Sequence, residues 1–486
     1  MYLGLDFGTS SVKGVLIDAK QKIIATAAAP LKVARPQAGW SEQAPDDWWK
    51  AAGQVVTQLK RLKPKAVAAI EGIGLSGQQH GATLLDKDGK PLRPCILWND
   101  ARSFKECQEI MQGEPQAVAH SGNVVLAGYT APKLVWVKKH EPKIFDKVAK
   151  VLLPKDYIRL RMTGDYASDM SDSSGTYWLD IQNRKWSDLL LNASGMRLDQ
   201  MPDLFEGTDA TGRLTASVAK AWGMPKRPVV AGGGGDNAAS ACGIGAVTDG
   251  AGFLSIGTSG VIFVSNDAFS PNAGKMVHAF CHATPNTWHQ MSVILSATAS
   301  LEWLSILLQT PAPQLTKALG TKLAGPSSTL LLPYLSGERS PVGDAEVRGV
   351  MMGIAHETDR KTLTHGVLDG LALAFRDNLD ALRQGGANIN RLMAVGGGTK
   401  SELWMKIIAT VLNVPIDLPA AGDIGGAFGA ARLGLVAATG ADFRQVFTKP
   451  KIAKTITPEK AARAAYEDQY QRYKQIYPAI KEIKLT

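Results

Sequence analysis

Cysteine is scarce in this chain: Cys95, Cys107, Cys242 and Cys281 are the only four in 486 residues, with no Cys-x-x-Cys pair and no dense spacing. That usage excludes a disulfide scaffold and a cysteine-rich zinc site, and it predicts reduced, mostly buried thiols. Long apolar runs are missing too. No stretch approaches the ~18 residues of a membrane span, which argues against a membrane partner. An acid, Asp6, stands almost at the start, so the charged-then-apolar pattern of a signal peptide is lacking and a cytoplasmic location is expected. There is no His-Glu-x-x-His and no Gly-x-x-x-x-Gly-Lys-Ser/Thr loop. A polyphosphate would therefore have to be held by other means than a P-loop. The formal charge is +10, yet the basic residues are spread along the chain. The densest cluster, Lys60 to Lys65, falls at the end of a predicted helix, where cations complement the helix dipole. No recognition motif accompanies the charge, so nucleic acid is not expected and a modest attraction for anionic small molecules is.

What is present is a repeated phrase. Leu5-Asp6-Phe7-Gly8-Thr9-Ser10 is echoed by Leu254-Ser255-Ile256-Gly257-Thr258-Ser259, an offset of 257 − 8 = 249 residues, about half the chain. Each copy lies between short apolar runs and reads as strand, tight turn, strand, with backbone N–H groups and hydroxyls offered to an anion. A duplicated domain explains the spacing. Two such hairpins facing each other across a cleft would hold a polyphosphate from both sides. Only the first copy carries an acid, which assigns a metal to the first half. The length allows two or three domains, and 45% hydrophobic with 20% charged residues is ordinary for a globular chain.

Other strand-to-loop units follow. Ile73-Gly74-Leu75 runs into Ser76-Gly77-Gln78-Gln79-His80-Gly81, and Pro228-Val229-Val230 runs into four glycines, Asp236 and Asn237. Leu392 to Val395 leads to Gly396-Gly397-Gly398-Thr399-Lys400-Ser401 and a helix over 402–412. Ligand loops in α/β domains sit at such carboxyl ends of strands. A helix capped by Asp46 is predicted to bury Trp49, Ala52, Val56, Leu59 and Leu62. The stretch 310–328 reads as an irregular connection, 425–431 as a closely packed helix, and the chain beyond about 450 as a solvated helix.

Asp6 either satisfies the N–H groups of its own turn or holds Mg²⁺. Asp236 either caps a helix or takes a proton from a substrate hydroxyl as a general base. Four preceding glycines favour the base, since a cap needs none and such a run lets backbone approach a ligand. His80 reads equally as structural or functional. Gly233-x-Gly235-x-x-Ala238 fits a loose dinucleotide fingerprint, but no acid follows at a second strand's end.

These motifs, taken in order, resemble the FGGY carbohydrate kinases. The similarity runs from Met1 to about Leu435 and includes Trp40-Ser41-Glu42-Gln43, Gly77 to Gly81, Trp98-Asn99-Asp100-x-Arg102, Gly128 to Trp136, Leu153 to Tyr157 and Leu332 to Pro341. The resemblance implies an α/β fold of two actin/Hsp70-like (ribonuclease H-like) domains with a cleft between them. Expected bounds are 1–245 for the sugar and metal lobe, 246–440 for the ATP lobe and 441–486 for a C-terminal helical extension. The implied activity is ATP-dependent phosphorylation of a ketopentose, D-xylulose first, with ribulose, glycerol or gluconate as alternative acceptors. Asp236 is implied as the catalytic base, Asp6 as the Mg²⁺-linked acid, and Gln79, His80, Asp236 and Asn237 as sugar contacts. Gly8, Thr9, Ser10 and Lys13, with Gly257, Thr258 and Ser259, are the implied phosphate clamp; Gly396, Gly397, Gly398 and Ser401 are the adenosine loop. The expected partners are a small-molecule sugar and ATP, and a homodimer stays open. A different class, a non-catalytic nucleotide-dependent binding protein, would need a peptide-binding domain for which little chain is left.

Overall fold

The computed structural model describes residues 1–420 and 425–483. Its two halves carry one seven-stranded sheet each, beside smaller two-stranded ones, and both Gly-Thr-Ser phrases form the predicted turns. In the first half the main strands are β1 (Tyr2–Phe7), β2 (Ser11–Ile17), β3 (Ile23–Pro30), β4 (Gly72–Gly77), β5 (Ala210–Arg213) and β6 (Val229–Ala231), ordered β5-β6-β4-β1-β2-β3. In the second they are β7 (Gly252–Ile256), β8 (Gly260–Asn266), β9 (His278–Cys281), β10 (Trp288–Ile294), β11 (Leu392–Val395), β12 (Ile416–Pro419) and β13 (Ile452–Ile456), ordered β9-β10-β8-β7-β11-β12-β13. Each sheet is an antiparallel meander (β1-β2-β3; β7-β8-β10) followed by two parallel strands (β4, β6; β11, β12) and an antiparallel edge (β5; β13). That is one topology used twice, as the repeated phrase predicts. The edge differs in connectivity: β5 precedes β6 in the chain, whereas β13 follows β12.

The main helices are α1 (Pro45–Leu62), α2 (Thr130–His140), α3 (Asp236–Ile244), α4 (Thr298–Leu307), α5 (Arg360–Gln384), α6 (Glu402–Leu412), α7 (Gly426–Thr439) and α8 (Arg463–Ile480). Helix α7 is the joint between the halves. It lies across β1 and β4 of the first sheet and packs on α3. The contact is backbone on backbone: a Cβ at Gly74 would lie 1.8 Å from the carbonyl oxygen of Ala430, and one at Gly429 would lie 1.7 Å from that of Ala239. All four cysteines are buried and free, as predicted. No helix among the described residues is long and apolar enough to cross a membrane.

Three local expectations need correction. Helix α1 starts two residues earlier, with Ala44 as N-cap and Pro45 in its first turn rather than a cap at Asp46. Its buried face is Trp48, Ala51, Ala52, Val55, Val56 and Leu59, while Leu62 is 59% exposed. The 310–328 connection contains a short helix, Ala312–Ala318. The tail from 441 is not a helical extension throughout. It contributes β13 to the second sheet, and α8 buries Tyr466, Tyr470, Tyr473 and Ile476 instead of standing in solvent. Residues 484–486 of that tail lie outside the described residues.

Candidate active site

Three strand ends of the first sheet meet at the same level: β1, β4 and the two-residue strand Gly234–Gly235, which pairs with β4 beyond the end of β6. Asp6 pairs with Ser76 and Ser76 with Gly234; one step further, Phe7 pairs with Gly77 and Gly77 with Gly235. Asp236 is the next residue. With strands ~4.8 Å apart, the two predicted acids stand on strand ends about 10 Å across the sheet, at the carboxyl edge where α/β folds bind ligands. Ser76 donates its hydroxyl to Asp6 Oδ1 at 2.9 Å. The first residue of α7 closes on the same carboxylate, since a Cβ at Gly426 would lie 3.1 Å from Asp6 Cγ.

Asp236 opens α3 but does not cap it; the cap position belongs to Gly235. Its Oδ1 accepts from the Asn237 amide at 2.7 Å and from Asn237 Nδ2 at 2.9 Å. Burial, and then the charge of Asp6, push its carboxyl up to about 7, with the Asn237 bonds opposing. The glycines before it have a steric reason. Gly233 sits at φ +88° with its α-carbon against β4, where a Cβ would meet the Leu75 carbonyl at 2.4 Å.

The Gln78–Gly81 loop lies alongside. Gln79 Nε2 donates to the Ser171 carbonyl at 3.1 Å, and its amide rests against Gly235. His80 Nδ1 stands 2.7 Å from the Gly175 carbonyl. A carbonyl only accepts, so Nδ1 carries the hydrogen and Nε2 is left as an acceptor. Burial holds the imidazole down at about 3, so it is neutral. Sequence reasoning missed the floor beneath this loop. The segment 169–176 holds Gln79 through Ser171, His80 through Gly175 and the base loop through Ser171 Oγ, which accepts from the Gly235 amide at 3.1 Å. Buried Lys155 anchors that floor, 2.8 Å from Asp169 and 3.4 Å from Asp172. The signal available was the serine- and acid-rich run Ser168 to Ser174, unusually polar for a fully buried stretch.

The first turn, Gly8-Thr9-Ser10, is braced by Gln78 of the 78–81 loop and by Gln43 and Trp98 of two of the resemblance motifs. Thr9 Oγ1 donates to Gln78 Oε1 at 3.1 Å and accepts from Trp98 Nε1 at 3.0 Å. Gln43 Nε2 donates to the Thr9 carbonyl at 2.7 Å and Gln43 Oε1 accepts from Gln78 at 2.9 Å. The Thr9 proton is thus already committed, which leaves backbone N–H groups and the exposed Ser10 hydroxyl as the turn's donors. Lys13 is exposed and pairs directly opposite Asp6 across the hairpin, on the same face.

In the second half, the Gly257 carbonyl accepts from Thr298 N at 3.0 Å and Thr298 Oγ1 at 2.8 Å, tying that turn to the start of α4. A cavity of about 980 Å³ opens beside it, lined by Thr258, Gly397, Gly398, Ser401, Lys400 and Trp303 among others. Gly257, Ser259 and Gly396 flank these residues in the chain without lining the cavity. Ser401 is also the N-cap of α6, its hydroxyl accepting from Trp404 N at 3.4 Å. So the structure separates the implied site residues into two groups: the acids, the 78–81 loop and the first turn on one sheet, and the second turn with the glycine loop on the other.

A duplicated α/β fold with polar, carboxylate-bearing strand ends in one half and a large cavity beside a glycine turn in the other defines a two-lobed phosphotransferase. Family models for the carbohydrate kinases match both halves: the FGGY N-terminal domain over residues 1–243 and the FGGY C-terminal domain over residues 252–438. The chain belongs to the FGGY family of carbohydrate kinases. It is 42% identical to the xylulose kinase of Escherichia coli K12 over 479 residues, covering 98% of each chain. Among solved structures it is similar to a kinase from Brucella ovis described as a xyloylose kinase, with TM-score 0.97, 54% identity and 99% of each chain covered. The xylulose kinase of Rhodospirillum rubrum superimposes with TM-score 0.92 at 28% identity, again over 99% of each chain. The dinucleotide and non-catalytic binding readings fall with that membership.

Proposed function

We propose that this carbohydrate kinase transfers the γ-phosphate of ATP to the terminal hydroxyl of D-xylulose, giving D-xylulose 5-phosphate, with Asp236 as general base. The observation that carries the reading is the Asp236 carboxyl itself, placed at the end of a glycine run whose last residue rests on Gln79, hydrogen-bonded to Asn237 and raised to about 7. A carboxyl poised near neutral pH is matched to accepting a hydroxyl proton and later releasing it. The names borne by the relatives support the sugar; Gln79, the Nε2 acceptor of His80, and Asn237 are the groups that would bind its hydroxyls. The oxygen freed by Asp236 attacks the γ-phosphorus in line, and the two Gly-Thr-Ser turns with Lys13 stabilise charge on the transferring group. Gly397, Gly398 and Ser401, which line the 980 Å³ cavity, would hold the adenosine, with Gly396 preceding them in the same loop.

Mg²⁺ fits the acids present. The donors near Asp6 are hard oxygens, and no cluster of three or more His, Cys, Asp or Glu able to hold a metal occurs among the described residues. A cation bound by one carboxylate plus substrate phosphates and water matches that sparse set, and Asp6 is the residue that would hold it. When bound, it would neutralise phosphate charge.

A base with its carboxyl near 7 must be ionised to work, so kcat/KM is expected to rise with pH through about 7 and level off above it. A pH profile with no acid limb between 5 and 8 would remove Asp236 from that role. Water at the sugar position would waste ATP, so closure of the halves about α7 should precede chemistry. Small-angle scattering is expected to show compaction with sugar plus a non-hydrolysable ATP analogue, and an unchanged radius of gyration would contradict closure. The substrate is tested by coupled ADP release against D-xylulose, D-ribulose, L-xylulose, glycerol and gluconate at equal concentration. D-Xylulose should give the highest kcat/KM; a higher value for any other sugar replaces it as substrate.

A further inference from the structure

Lys133 on α2 is 0% exposed and has no carboxylate of its own. Its Nζ donates to the carbonyl of His80 at 2.8 Å and to that of Gly128 at 2.8 Å. Asp100, the acid on its side, is taken up by Arg102 at 2.7 Å. Thr130, one turn earlier on the same helix, donates its hydroxyl to the same His80 carbonyl at 3.1 Å. That carbonyl belongs to a residue in the left-handed region, at φ +69°, a conformation uncommon for residues that carry a side chain. Gly128 is itself pressed on Trp98, where a Cβ would lie 2.6 Å from the Trp98 carbonyl, and Trp98 holds Thr9.

We propose that Lys133 is a positioning residue for sugar recognition. Its two carbonyl bonds, with that of Thr130, hold the Gln78–Gly81 loop in the left-handed bend that presents Gln79 and His80 to the sugar. A buried ammonium without an ion partner is costly, and its retention needs a task that an apolar side chain cannot perform. The task here is to supply donors to two carbonyls from loops far apart in sequence. Burial pushes Lys133 down to about 7, with Cys95, Asp100, Arg102 and Cys107 as the other groups facing it. The neutral amine still carries two N–H donors, so the brace holds in either protonation state.

The inference rests on the kinase reading, and the test keeps the two apart. Steady-state constants are measured on the full chain with whichever sugar of the panel the wild type turns over. Lys133→Met should raise the sugar KM about 10-fold, the scale of one lost charge-assisted hydrogen bond, with kcat and the ATP KM within about 3-fold of wild type. Thr130→Val should raise the sugar KM by a smaller factor in the same direction, and Thr130→Ser, which restores the hydroxyl, should return it to the wild-type value. A folded Lys133→Met protein with unchanged sugar KM overturns the role. If that variant does not fold, Thr130→Val decides: an unchanged sugar KM there overturns the role equally. A wild type inert to every sugar overturns the kinase reading, and this inference with it.

Discussion

Asp236→Ala folds as the wild type does and loses at least ~10²-fold in turnover, the low end of what a general base contributes. The loss is expected in kcat, because the proposed sugar contacts Gln79, His80 and Asn237 and the proposed nucleotide cavity beside Thr258 are left in place. The isosteric Asp236→Asn separates chemistry from folding more sharply. The native carboxyl titrates at about 7, above its usual 3.8. Between those values the unfolded chain sheds a proton that the native protein keeps. Stability therefore falls as pH rises from about 4 to 7 and stays lowered above 7. Removing the acid removes that penalty. Asp236→Asn should melt higher than wild type at pH 8 and nearly with it at pH 4, while remaining inactive at both. This is the pattern of a site whose strain serves activity. Normal turnover in either variant, read by ADP release, would end the general-base assignment; a lower melting temperature for Asp236→Asn at pH 8 would show that burial does not penalise the carboxylate.

The second large effect is structural. Gly74 lies in β4 with α7 pressed on its α-carbon, and a methyl there would sit 1.8 Å from the Ala430 carbonyl oxygen and 2.9 Å from the Gly434 amide. Neither neighbour is the flexible end of a side chain, so the helix must move bodily. Overpacking of this kind costs about 3 kcal/mol at the upper end of the usual range. Gly74→Ala should lower the melting temperature and also weaken catalysis, because α7 begins at Gly426 against Asp6. An unchanged melting curve by circular dichroism would mean that α7 is not the packed joint described.

Much of this was legible in the chain. The Gly-Thr-Ser repeat gave both hairpins and the duplicated topology, because a tight turn between apolar runs is a local signal. The strand-to-loop units at Leu75, Val230 and Val395 led to Gln79, Asp236 and Gly397 for the same reason. What could not be read depends on tertiary contacts. In α1 both Trp48 and Trp49 satisfy helical spacing, and only packing decides that Trp48 is buried while Trp49 stacks on Trp222 with ring centroids 5.4 Å apart. The strand Ile452–Ile456 buries Ile456 but leaves Ala453, Lys454 and Thr455 exposed, so its alternation is too weak to signal an edge strand. Lys133 and Lys155 look like surface lysines until the loops they bind are folded around them, because local sequence carries no trace of a partner 53 residues away.

The central claim is direct transfer of the γ-phosphate of ATP to the terminal hydroxyl of D-xylulose, with Asp236 taking the proton. Phosphorus NMR of a reaction containing the enzyme, ATP, Mg²⁺ and D-xylulose tests it in one spectrum. The expected result is a phosphomonoester signal split by the two protons on C5, growing as ADP grows and absent with Asp236→Ala. Inorganic phosphate as the product, formed at the same rate without sugar, would contradict the account.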